Sequence, residues 1–157
     1  GPTKTPLPAS RPTSIPEITP TASIPTASNV DLLAAQVDWI GQGISNYAIQ
    51  IKRVSTFRNQ THFLSVSNGE VVEATAECTP ALADSGRPCS VIEFNPELFT
   101  VPGLFKVAQS QLERDGGRWT SIELEEKYSF PKRIAYSNRE LIDGWVYWEV
   151  IGFETNP

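Results

Sequence analysis

Gly144-Trp145-Val146-Tyr147-Trp148-Glu149-Val150-Ile151-Gly152-Phe153 is the stretch that decides the fold. Aromatic and β-branched side chains dominate it, as they do in a strand half-buried in a sheet. Upstream, Pro131-Lys132-Arg133-Ile134-Ala135-Tyr136 reads as a second strand, its proline at the start, where a missing amide does least harm. Trp119-Thr120-Ser121-Ile122-Glu123-Leu124-Glu125-Glu126-Lys127-Tyr128 reads as a third, with Ile122, Leu124 and Tyr128 facing inward. Three strands on short connections favour antiparallel pairing.

The region before these strands is helical. Thr100 stands as a cap with Pro102 in the first turn. Val101, Leu104, Phe105, Ala108 and Leu112 form the stripe of a helix packed on one side, and Asp115-Gly116-Gly117 ends it. Earlier still the order repeats. Ser28-Asn29-Val30-Asp31 resembles a capping box and opens a helix with Leu33, Val37, Ile40 and Ile44 on one face and Trp39 beside them. Asn46–Val54 alternates, with Tyr47, Ile49 and Ile51 on one face. Thr61–Val66 and Val71–Ala76 flank Ser67-Asn68-Gly69-Glu70, and Asn-Gly is a strong hairpin signal because both residues tolerate positive φ. The expected architecture is α+β: an antiparallel sheet of about six strands with two helices on one face. The halves suggest a diverged repeat of a helix and three strands.

Residues 1–28 are of another kind. Seven of the 13 prolines fall in the first 25 residues. Such a segment forms no helix and lacks the apolar density for a core, so it is expected to be an extended tail before one domain at 29–157. It is either a stalk, or a segment whose Leu7, Ile15, Ile18 and Ile24 dock on a partner. The chain lacks methionine, so Gly1-Pro2 is expected to be a processing or tag-cleavage remnant.

Net charge is −5, and the tail's Lys4, Arg11 and Glu17 sum to +1, which leaves −6 on the body. An acidic body argues against nucleic acid, whose binding draws on a basic face, and against anionic lipid. No apolar run approaches the roughly 20 residues that span a bilayer. Cys78 and Cys89 are spaced to close a surface loop as a disulfide, which implies an oxidising compartment. Two free thiols are the plainer alternative, and metal or redox chemistry has neither enough ligands nor a Cys-x-x-Cys.

Catalytic clusters are not evident. Gly41-Gln42-Gly43 lacks a third glycine and precedes a strand. His62 is the only histidine and reads as a surface or edge residue. Glu123, Glu125 and Glu126 read as a solvated strand face rather than a carboxylate pair. Asn59-Gln60-Thr61 matches a glycosylation acceptor, relevant only in a eukaryotic secretory route. The aromatic surplus lies on the closing strand. By strict alternation Trp145, Tyr147 and Phe153 share one face and Trp148 takes the other. The rings are either core on both sides or an exposed patch for a partner.

These residues also carry a resemblance. Trp39 with Asn46-Tyr47, Ser67-Asn68-Gly69-Glu70-Val71-Val72, Thr100-Val101-Pro102-Gly103-Leu104-Phe105, Tyr128-Ser129-Phe130-Pro131-Lys132-Arg133-Ile134 and Asp143 occur in this order. Over residues 38–154 the body resembles a bacterial domain-of-unknown-function family found mostly in secreted lipoproteins. One departure is Ser129-Phe130-Pro131, where the family pattern has Gly-Tyr-Pro. The resemblance implies location and build, and no activity. It also implies that residues 1–28 are the spacer after a lipidated cysteine, so that any membrane association runs through an upstream anchor. The expected role is therefore a non-catalytic extracytoplasmic accessory or structural subunit, with a protein partner or self-assembly, no cofactor and no small-molecule substrate. The alternative is a soluble binding or inhibitor module using the aromatic face or the 77–98 loop.

Overall fold

The computed structural model describes residues 27–80 and 88–155. The elements are α1 (Asn29–Gly41), β1 (Tyr47–Ser55), β2 (Asn59–Ser67), β3 (Glu70–Cys78), a 3-10 turn (Pro96–Phe99), α2 (Val101–Asp115), β4 (Thr120–Leu124), β5 (Pro131–Ser137) and β6 (Trp145–Thr155). The strands form one antiparallel sheet in the order β3-β2-β1-β6-β5-β4. The first strand and the last are therefore paired at its centre. The expected α+β build is the one observed.

Local signals place most boundaries. Ser28 and Asp31 form a complete capping box, and the Ser28 bonds hold the Asp31 carboxyl below the usual range. Ala27 at N′ and Leu32 at N4 are both buried, as in a hydrophobic staple. Asn68 (φ 52°) and Gly69 (φ 79°) turn the β2–β3 hairpin. Thr100 Oγ1 accepts from Gly103 N–H at 3.1 Å, and Gly116 closes α2 in the left-handed conformation. The Tyr47 hydroxyl also accepts from Val101 N–H at 3.1 Å, which ties β1 to the start of α2. Burial raises the pKa of that phenol.

One face of the sheet is the core. Tyr47, Ile49 and Ile51 of β1 lie opposite Val66, Leu64 and His62 of β2, and Ile122, Ile134 and Trp148 continue the row across β4, β5 and β6. Both helices pack on this face. On α2 the expected stripe of Val101, Leu104, Phe105, Ala108 and Leu112 is buried throughout.

On α1 the expected face is overturned. Its buried residues are Leu32, Ala35 and Trp39, whereas the expected Leu33, Val37 and Ile40 are 58%, 71% and 68% exposed, Val30 beside them is 75% exposed, and Ile44 lies beyond the helix, partly buried against the core. Trp39 decides the rotation. Its ring meets Tyr47, Phe130 and Phe153 edge-on at 5.8–6.1 Å, and one large ring outweighs several aliphatic side chains.

The closing strand departs from strict alternation. The β1–β6 register shifts between Gln50 and Ile51, pairing Gln50 with Gly152 and Ile51 with Val150. Ile151 is the extra residue of a β-bulge. Phe153 therefore joins Trp148 on the core side, where its ring sits 4.8 Å from Phe130 and 5.4 Å from Tyr47.

The helix-and-three-strand order does recur, but the two meanders have opposite hands. β4 runs antiparallel to β1, yet both halves progress across the sheet in the same sense with their helices on the same face. A mirror relates such halves and a rotation cannot, so the order is not a structural duplication.

Candidate functional site

The helices cover the core face from β1 to β4. Beyond them, over β2 and β3, the cover is the segment 88–99. Between this segment and the two strands runs a groove of about 470 Å³, lined by His62, Leu64, Ala74, Ala76, Val91 and Phe94 among others.

Three devices fix the groove's wall. The Cys78–Cys89 disulfide joins the end of β3 to the start of the segment across a Cα–Cα distance of 6.0 Å. The buried Gln60 amide clamps Ile92 on both sides: Oε1 accepts from Ile92 N–H at 2.9 Å, and Nε2 donates to Ile92 C=O at 2.8 Å. The Arg53 guanidinium lies over Phe94 at 4.9 Å and over Trp148 at 5.2 Å, linking the segment to the sheet.

His62 belongs to the floor. It was expected at the surface; it is 6% exposed, stacked on Phe99 with centroids 3.8 Å apart. Alternation from Leu64 and Val66 places it on the core side. Its Nε2 is 3.2 Å from Gln60 Nε2. The Ile92 bonds settle the Gln60 amide orientation, so the second Nε2 proton points at the ring, and His62 Nε2 must accept it. The ring is thus neutral with its proton on Nδ1. Burial, and secondarily the charge of Arg53, push its pKa down to about 4. Sequence reasoning places His62 at the surface and gives Gln60 no role beyond the acceptor motif; the inward parity both share with Leu64 and Val66 on β2 is the available signal.

Other candidates fall elsewhere. Trp148 lies on the core side, 9% exposed. Trp145 and Tyr147 stand on the open face with rings 6.2 Å apart, and Arg133 stacks on Tyr147 at 4.7 Å while approaching Glu149 at 3.7 Å. Leu7, Ile15, Ile18 and Ile24 lie outside the described residues. Asn59 is within a paired strand, its Oδ1 buried, so the acceptor motif is not on a surface loop. Glu125 is used in a turn, where its carboxylate accepts from Tyr128 N–H. Ser129 has φ 67°, a left-handed conformation that favours glycine, and donates its hydroxyl to Asp38 of α1. Among the described residues no group of three or more His, Cys, Asp or Glu is placed to hold a metal ion. No described helix is long and apolar enough to cross a membrane.

A family model, described as a family of unknown function (DUF6174), matches residues 31–155. The chain belongs to this family. The match takes in all the motifs that carried the resemblance, from Trp39 to Asp143. No curated protein and no solved structure matches the chain. The DUF6174 match brings no activity with it.

Proposed function

We propose that this DUF6174 protein is a non-catalytic extracytoplasmic domain, an accessory or structural subunit tethered through its Pro/Thr-rich N-terminal segment. The observation that carries the reading is the exposed apolar stripe on α1. Val30, Leu33, Val37 and Ile40 repeat at helical spacing on the side away from the core. Such a stripe is the signature of a face that a partner covers. α1 contains Asp31 and Asp38 and no lysine or arginine, so an anionic lipid surface is a poor match and a protein is the better one.

The disulfide supports an oxidising compartment. Bacterial origin and an upstream lipid anchor rest on the resemblance alone. The second reading, a soluble binding module, is favoured by the groove beside the disulfide and needs no anchor.

The test is recovery of the tagged full-length protein from its source by affinity capture and native mass determination. A stoichiometric assembly is expected with the wild type and is lost in a Leu33→Glu, Val37→Glu double variant. Both positions are exposed, so the thermal transition of the variant stays within about 0.5 kcal/mol of wild type. A free wild-type monomer, or an assembly indifferent to these substitutions, would sink the proposal.

A further inference from the structure

β3 is an edge strand, and among the described residues no other segment pairs with its outer side. Its hydrogen-bonding phase is fixed. Thr79 N–H donates to Asn59 C=O at 2.7 Å, in the same register that pairs Gln60 with Cys78. Hydrogen-bonded pairs alternate along an antiparallel ladder, so Glu77, Thr75 and Glu73 turn their main-chain groups toward β2. Ala76 and Ala74 turn theirs outward. The side chains of these two alanines stand on the core side, opposite His62 and Leu64, and border the groove. The unpaired main-chain groups and the groove therefore belong to the same two residues. A strand added here would place every second side chain into the groove.

We propose that β3 is a docking edge for an extended segment of a partner protein, running antiparallel to it. The segment carries apolar side chains opposite Ala76 and Ala74 and basic side chains opposite Glu77 and Glu73. Its pattern is basic, apolar, any, apolar, basic. Main-chain bonds to the alanines supply affinity, and the apolar pair fills the space between Leu64, Val91 and Phe94. The disulfide and the Gln60 clamp hold the wall ready, so little ordering is left for the binding step.

Charge chooses the occupant. A second copy pairing antiparallel about Thr75 would set Glu73 against Glu77 twice, and like charges directly opposite one another repel. The same glutamates attract a basic segment, and Glu93 on the groove adds to the field. The inference is independent of the α1 face, and the variants below leave α1 untouched.

The experiment is a titration of the disulfide-bonded protein with the acetylated, amidated peptide Gly-Lys-Val-Thr-Val-Lys-Gly, read by amide NMR. The expected result is saturable shifts at Ala74, Ala76, Val91 and Phe94, with α1 amides unmoved. A peptide with glutamate in place of both lysines binds at least about tenfold more weakly. Glu73→Lys with Glu77→Lys reverses that preference. Ala76→Pro removes an outward N–H without touching the β2 ladder, so the fold persists and binding is lost. No binding up to about 1 mM peptide, equal binding of both peptides, or binding that survives Ala76→Pro overturns the proposal. So does a concentration-dependent dimer abolished by Ala76→Pro, which would make a second copy the occupant.

Discussion

His62 shows how much one side chain reports. Its folded pKa of about 4 lies below the ordinary value of 6.5, so between these values the unfolded chain binds a proton that the folded protein refuses. The stabilisation is complete above pH 6.5 and declines as pH falls from 6.5 toward 4. With allowance for solvent screening the loss is on the order of 1–2 kcal/mol. Urea unfolding at pH 7.5 and pH 4.5 should show this drop in the wild type and a smaller one in His62→Gln; parallel pH dependences would exclude His62 as the cause. Gln60 is a second sensitive position. Gln60→Leu strips both partners from the half-buried Ile92 main chain and should cost about 1–2 kcal/mol, with amide exchange at Ile92 accelerated. Gly103 is a third. A Cβ there would lie 2.0 Å from the Glu97 carbonyl oxygen and 2.7 Å from the Leu98 carbonyl carbon. Backbone cannot yield as a side-chain tip does, so Gly103→Ala should cost about 3 kcal/mol or more in thermal unfolding. In the sequence Gln60 and His62 show only their inward parity on β2, and Gly103 shows nothing of its close contact. Each effect arises from a segment more than two residues away folding back onto the site.

Elements were legible where their signals were local. The caps of α1 and α2, the Asn68-Gly69 turn and the α2 stripe depend on neighbours in the chain, and they are where the sequence places them. The misread features are those settled by distant contacts. α1 carries two competing apolar faces: Leu33, Val37 and Ile40, or Leu32, Ala35 and Trp39. Spacing alone favours the first set, yet the aromatic cluster of Tyr47, Phe130 and Phe153 selects the second because only it presents Trp39. In β6 the bulge at Ile151 sends Phe153 into that same cluster, and a strict period of two could not anticipate it. The groove was less legible than the fold. The cysteine pair was visible, but the wall it braces depends on Gln60, Arg53 and His62 pointing inward together. The disulfide's contribution is measurable at this scale. Cys78→Ser with Cys89→Ser should lower unfolding free energy by about 2–3 kcal/mol. Exchange protection should fall first at Ile92 and at the Cys78 end of β3, while β5 and β6 hold theirs. Uniform loss across the sheet would mean that the bond braces the whole domain rather than the groove.

At the scale of the molecule, the fold is closed by its own ends. β1 and β6 form the central pair, Ala27 N–H donates to Ile122 C=O at 3.0 Å, and the Tyr47 hydroxyl accepts from the first turn of α2. Each half therefore keeps its inner strand buried only by lending it to the other. Because the meanders are of opposite hand, neither half can replace its missing partner with a second copy of itself in the same geometry. A repeat of independent units predicts the reverse, namely two fragments that each fold. Fragments 27–94 and 95–155, produced separately, should each lack a cooperative thermal transition, since a lone meander leaves β1 or β6 as a long apolar edge. Co-expressed, they should associate and recover the transition, weakened by the entropy of joining two chains. The same long-range closure should make refolding of the intact domain slow for its size, in the millisecond-to-second range of non-local β topologies. Circular dichroism melts of the single and paired fragments decide the matter: a cooperative melt from either fragment alone would show that the β1–β6 seam joins two finished units instead of completing one.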